Sequence, residues 1–165
     1  MIIFIVFFVI VVFVLMTMVN YRKQMLKARN TYNEKMLPIE KKMLAHMKDR
    51  GKKIETVIRM ITMNEEALIF VSDEEGAYAS IGMSDSVIGF PYSDVVDVAI
   101  DNPMDGKEMK FLAVDLDLKN QGKLRYVFSD KPFKPKTYVG GIVKKYADDF
   151  YSKLLEIKNG NKANE

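Results

Sequence analysis

The chain has no cysteine, no tryptophan and a single histidine, His46, in 165 residues. Without cysteine there is no disulfide framework, no thiol nucleophile and no thiolate metal site, and one histidine cannot complete a His-rich metal set. The G-x-S-x-G elbow, the phosphate-binding glycine loop and Cys or His pairs at metal-ligand spacing are also missing. These absences exclude the common hydrolase, nucleotide-binding and zinc signatures, and no catalytic residue, metal ligand or cofactor site is expected. A further absence concerns charge. Between Ile2 and Val19 there is none.

That uncharged stretch contains fourteen consecutive residues, Ile2 to Leu15, drawn only from Ile, Val, Phe and Leu. Eighteen residues at about 1.5 Å each make roughly 27 Å of helix, close to the hydrocarbon thickness of a bilayer. A signal peptide would have a cationic start, a core of about 7 to 15 apolar residues and a small-residue cleavage site. Here the run is longer, only the terminal amine precedes it, and Met16-Thr17-Met18-Val19-Asn20-Tyr21 offers no such site. A buried helix of a globular core is usually shorter and seldom so rich in Phe and Val. The expectation is an uncleaved anchor over residues 1–20, held in the lipid bilayer through residues 2–19, with Ile2, Phe4, Phe7, Phe8, Phe13 and Leu15 in the hydrocarbon.

Arg22, Lys23, Lys27 and Arg29 follow within ten residues of the membrane exit. Flanking cations stay in the cytoplasm, so the expected protein is single-pass in a cell membrane with its carboxy-terminal part cytoplasmic. The same four residues are the expected contacts to anionic lipid headgroups, each contributing roughly 1 kcal/mol near the surface. Residues 21–59 hold twelve Lys plus Arg and four Asp plus Glu, a balance of +8, whereas residues 60–165 hold thirteen and eighteen, a balance of −5. A basic base and an acidic head argue against nucleic acid as a partner, because such binders carry their cations on the folded domain.

Residues 21–52 read as a basic helical arm. Met25, Tyr32, Met36, Ile39, Met43 and Met47 form an apolar stripe, Pro38 should kink or divide the helix near Leu37, and Gly51 should end it. The stripe has three readings: packing back on the domain, self-association into a homo-oligomer as a short coiled coil through Met25, Tyr32, Met36, Ile39 and Met43, or rest on the membrane. His46 reads as a solvated helix residue.

From Lys53 the period changes to that of short strands. Ile54–Met63, Ala67–Ser72, Ala77–Gly82, Val87–Phe90, Val95–Ile100, Lys110–Leu118 and Lys123–Ser129 read as strands, with Asp73-Glu74-Glu75-Gly76 as a tight turn. If Asn120-Gln121-Gly122 closes the last hairpin, Leu118 faces Leu124, Leu116 faces Tyr126 and Asp117 faces Arg125. Val139, Ile142, Val143, Tyr146, Phe150, Leu154 and Ile157 then mark an amphipathic helix capped by Thr137, closed near Lys158-Asn159-Gly160, with Gly140-Gly141 either fraying its first turn or packing closely there. Residues 159–165 read as a disordered tail. Asp101 to Gly106 resembles a calcium loop, but Pro103 and Leu112 occupy positions that loop needs for ligands.

The succession LIFVSDEEGAYASIG, FPYSDVVDVAID, KFLAVDLDLKNQGKLRYVFSD and YVGGIVKKYADDFYSKLLEI resembles bacterial pleckstrin-homology-like (PH-like) domains over residues 53–158. The resemblance implies an α+β fold: an N-terminal transmembrane helix and helical arm, then a bent antiparallel sheet or barrel of about seven strands capped by a C-terminal helix. Eukaryotic members that bind phosphoinositides use Lys and Arg in the loop joining the first two strands. Here that loop is Thr62-Met63-Asn64-Glu65-Glu66, acidic, so no lipid-clamping residue transfers. The implied role is that of a non-catalytic module binding a protein partner, as yet unknown, at the membrane. The alternative is a membrane-surface lipid sensor or oligomerising protein, with a phage or defence role suggested by analogy with small anchored proteins of that layout.

Overall fold

In the computed structural model, residues 2–84 and 86–162 are described; the side chains of residues 2–11, 24, 25, 28, 31, 161 and 162 are not among them. The architecture is α+β, with three helices and antiparallel sheets. Helix α1, Ile2–Thr31, leads through a wide π-helical turn, Tyr32–Met36, into α2, Leu37–Asp49. Pro38 explains that turn: its ring would strike the carbonyl of Glu34 in a regular α-helix, and one extra residue per turn removes the conflict. The helical arm therefore continues past Pro38 without being cut.

α2 ends as the sequence signals. Gly51 adopts φ +67°, Gly51 N–H donates to the Lys48 carbonyl at 2.9 Å and Lys52 N–H to that of Met47 at 3.0 Å, which together satisfy the last carbonyls. The reversal sends the chain back along the helix as the first strand. Four strands follow in meander order, β1 (Ile54–Ile61), β2 (Ala67–Asp73), β3 (Tyr78–Met83) and β4 (Ser86–Pro91). A single 3-10 turn, Tyr92–Asp94, leads to β5 (Val95–Asp101), then a two-residue pair β6 (Met104–Asp105) and β7 (Glu108–Met109), then β8 (Leu112–Leu118) and β9 (Gly122–Ser129). The second sheet has the order β5-β8-β9, and α3, Tyr138–Lys162, closes the chain. Seven of the nine strands among the described residues have six residues or more.

Every residue of β2 is buried, and the reason is two-sided packing. Leu68 and Phe70 point into a main core shared with β5, β8, β9 and α3, while Ala67, Ile69 and Val71 face a second cluster built with Met36, Ile39, Met43 and Met47 of the arm. Of the three readings of the arm's stripe, the structure takes the first: α2 lies on the outer face of the four-stranded sheet. The stripe's buried members are spent inside the chain.

Three expectations are corrected. The β8–β9 loop is Lys119-Asn120-Gln121, with Gly122 at φ +70° beginning β9, so Leu116 faces Leu124, Asp115 faces Arg125 and Asp117 faces Lys123. The expected register was off by two residues, a slip that leaves every side chain on its correct face and so is invisible to alternation. α3 continues to Lys162, past Gly160; of the expected tail, 163–165 lie outside the described residues. Finally, α3 buries Val143, Ala147, Phe150, Leu154 and Ile157 but leaves Val139, Ile142 and Tyr146 exposed. The expected N-cap is in place, with Gly140 N–H donating to Thr137 Oγ1 at 3.2 Å.

Tyr126 supplies a prediction. It is buried edge-on to Phe150, with ring centroids 5.5 Å apart, and its hydroxyl has no hydrogen-bond partner among the described residues. A buried unsatisfied hydroxyl costs about 1–3 kcal/mol, so Y126F should keep the packing and gain on the order of 1 kcal/mol, read as a higher denaturation midpoint at unchanged slope.

Candidate functional site

The chemistry-bearing side chains gather where the arm meets the head. At the end from which α1 departs, the β1–β2 turn presents Glu65, held at φ +59° in the left-handed region that most residues avoid. Lys35 Nζ donates to the Glu65 carbonyl at 2.5 Å and lies 3.7 Å from its carboxylate, and Lys27 Nζ of α1 reaches the same carboxylate at 4.0 Å. The acidic turn thus faces the arm's own cations. These pairs are exposed and hold little stability, but they fix which end of the head is nearest α1.

Along the seam, Glu40 of α2 accepts from Arg59 of β1 at Nε (3.1 Å) and Nη2 (2.5 Å), and Tyr32 donates its hydroxyl to the same carboxylate at 3.2 Å. The bond from Arg59 holds the Glu40 carboxyl below the usual range. Farther along, His46 Nε2 and the Tyr78 hydroxyl are 2.9 Å apart, with the Arg50 guanidinium 5.1 Å above the Tyr78 ring. Gly89 makes room: a Cβ there would fall 2.0 Å from the Tyr78 hydroxyl and 2.3 Å from His46 Nε2. His46 is half-buried in the seam, which corrects the expectation of a solvated residue. The spacing Ile39, Met43, His46 already put it on the buried face.

Burial, reinforced by the Arg50 charge and opposed by Asp49, holds the His46 imidazole below its ordinary pKa. Unfolded, it titrates near 6.5. As pH drops below about 6.5 the unfolded chain takes up a proton that the folded chain resists, so unfolding free energy falls through that window, at up to about 1.4 kcal/mol per pH unit. Glu40 and Asp73 act in the same direction only nearer the carboxylate range: burial raises Asp73, but the Tyr78 and Ala77 amides and Lys52 outweigh it and the net shift is downward. H46Q should therefore flatten the stability profile between pH 7 and 5. Urea midpoints at those two pH values, compared for both proteins, check it.

At the opposite end, Glu55, Ser72, Tyr92, Lys153 and Glu156 line an open cleft of about 300 Å³ between the sheet and the end of α3. Lys153 is engaged by Glu156 at 2.8 Å, and there is no histidine among the described residues that line the cleft. On the outer face of the second sheet, Arg125 is shared between Asp101 (2.7 Å) and Asp115 (3.2 Å), and Lys158 of α3 is 2.5 Å from Asp97. Among the described residues no three His, Asp or Glu side chains are arranged to hold a metal ion. Asp73, fully buried, accepts from the amides of Ala77 (2.9 Å) and Tyr78 (3.0 Å) and meets Lys52 at 3.2 Å, a turn lock rather than a reactive group.

The residues singled out in the sequence distribute as follows. Ile2, Phe4, Phe7 and Phe8 lie on the backbone of α1, with their side chains outside the described residues; Phe13 and Leu15 are exposed, at 67% and 57%. Arg22, Lys23, Lys27 and Arg29 are exposed along α1, and Lys27 alone of these reaches the head in the pairs described. Met25 has no described side chain, Tyr32 is exposed, and Met36, Ile39 and Met43 are buried against the sheet. Among the described residues no helix is long and apolar enough to cross a membrane, and eleven positions of the expected anchor, 1–11, have side chains outside them. The chain matches no protein-family model, no curated protein and no solved structure.

Proposed function

We propose that α1 tethers this chain to a cell membrane as a single-pass anchor and that the head is a non-catalytic, PH-like interaction module displayed on the cytoplasmic face, where it binds a protein partner. The observation that carries the reading is the exposed apolar surface of α1. Phe13, Val14, Leu15, Met16, Met18 and Val19 are all exposed, on a helix whose preceding residues are uncharged back to Ile2. Such a surface calls for lipid or another apolar cover. The cations beginning at Arg22 support the cytoplasmic orientation. Seven long strands closed by a C-terminal helix support the PH-like reading.

The arm supports display in a fixed pose. α1 continues through the π turn into a helix buried on the sheet, so anchor and head are joined by packed structure and not by a flexible linker. The test is photo-crosslinking of the full-length protein in native membranes beside a variant lacking residues 2–31. That variant keeps α2, since removing it would strip Ala67, Ile69 and Val71 of their cover. The same protein captured repeatedly by the full chain and lost from the truncated one is the expected result. Capture of lipid and further copies alone would overturn it.

A further inference from the structure

The first turns of α3 carry an apolar surface that the core does not use. Tyr138, Ile142 and Tyr146 lie one helical turn apart on one stripe, with Val139 beside them, and Tyr138 is 85% exposed. Around them the charge is one-sided: from Lys131 to Ala147 there are five lysines and no acid, in a head whose overall balance is negative. Lys131, Lys134, Lys136 and Lys145 are exposed; Lys134 lies 3.6 Å from Glu108, and Lys144 pairs with Asp148.

This surface is held rigid and lies at the end from which α1 departs. Thr137 Oγ1 and N–H both donate to the Lys134 carbonyl, at 2.8 and 3.1 Å, and a Cβ on Gly140 would come within 2.2 Å of that carbonyl. The loop is thus locked on the helix start, the close-packing alternative for Gly140-Gly141. It begins beside the β1–β2 turn, where Met63 N–H donates to the Phe128 carbonyl at 2.8 Å. The same turn meets Lys27 through Glu65. Lys27 lies eight residues, about 12 Å of helix, beyond Val19, so the β1–β2 turn it meets, at the same end of the head as the loop before α3, is on the side that faces the headgroups in the tether reading.

We propose that Tyr138, Val139 and Ile142, ringed by Lys131, Lys134, Lys136 and Lys145, form a second membrane contact that seats the head against an anionic bilayer surface. Apolar and tyrosyl groups enter the interface while the lysines meet lipid phosphates, the division of labour of an interfacial helix. The inference rests on the tether reading, and its test separates the two.

The chain has no tryptophan, so F13W and Y138W each install a sole reporter at an exposed site in the full-length protein. Both are reconstituted into brominated phosphatidylcholine vesicles with and without phosphatidylglycerol. The expected result is quenching of F13W in both lipids and of Y138W chiefly in the anionic one. K134Q and K136Q should each weaken the Y138W contact about fivefold and leave F13W unchanged. Y138W unquenched beside a quenched F13W overturns the second contact and leaves the tether standing. Y138W shielded from an aqueous quencher yet unquenched by brominated lipid points to a second copy of the chain on the patch and also overturns it. F13W unquenched defeats the tether, and if Y138W is then unquenched as well, both readings fall.

Discussion

Phe150→Ala is expected to remove about 3–5 kcal/mol of folding free energy, the largest loss from any single truncation of α3. Phe150 is fully buried where the two sheets and the helix meet, in edge contact with Phe70 (5.9 Å) and Tyr126 (5.5 Å) and tilted against Phe128 (5.8 Å). Its ring joins β2 of the first sheet to β9 of the second, and alanine would leave a void bordered by aromatics that cannot collapse into it. Calorimetry should show a midpoint lower by roughly 10 °C or more. A loss below about 1 kcal/mol would mean that α3 does not close the core at this position. Phe150→Leu, which keeps apolar bulk, should recover part of the loss.

Met43→Asp is the second large effect and has a different signature. Met43 is fully buried, and a Cβ on Gly82 of β3 would fall 2.7 Å from its sulfur, so helix and strand are in close contact. A carboxylate there would be desolvated with no cation among its apolar neighbours, a penalty of several kcal/mol that release of α2 avoids. Because the arm's cluster is distinct from the main core, the expected outcome is local: faster hydrogen exchange in α2 and on β2–β3, with β8, β9 and α3 still protected. Met43→Leu should cost less than about 1.5 kcal/mol and keep the arm docked. Unchanged protection of α2 in the aspartate variant would contradict the packing of arm on sheet.

Much of this fold is legible in local pattern. The strand segments, the turn ending in Gly76, the Thr137 cap and the Gly51 stop follow from residue types whose backbone preferences dominate at those positions. The arm's stripe was equally plain, but a stripe states only that a face needs cover. What covers it is decided by β2, whose run of Leu, Ile, Phe and Val is apolar on both faces because α2 lies against one and the core against the other. Reading Leu68 and Phe70 as one face and Ile69 and Val71 as the other would have assigned the arm. The β8–β9 register escaped because a shift of two preserves the faces, and Gly122, not the alternation, decides it through its positive φ.

The candidate site was less legible. Glu65 faces Lys35 and Lys27 across 30 and 38 residues of sequence, and the seam that joins His46 to Tyr78 depends on the absence of a side chain at Gly89. The exposed stripe on α3 was hidden for a related reason: Tyr138, Ile142 and Tyr146 have the spacing of a core stripe. Only the burial of Val143, Ala147 and Phe150 shows that the core takes the neighbouring face.

The central claim, that α1 anchors the head on the cytoplasmic side of a membrane, is tested most directly by a topology measurement on the full-length protein. The chain has no native cysteine, so E74C on the exposed β2–β3 turn provides a single thiol outside the proposed anchor. Cells are treated with a membrane-impermeant maleimide before or after lysis, and their membranes are extracted at alkaline pH. The account predicts a protein that stays in the alkaline pellet and is labelled only after lysis. Release into the alkaline supernatant would contradict the anchor, and labelling in intact cells would contradict the cytoplasmic orientation.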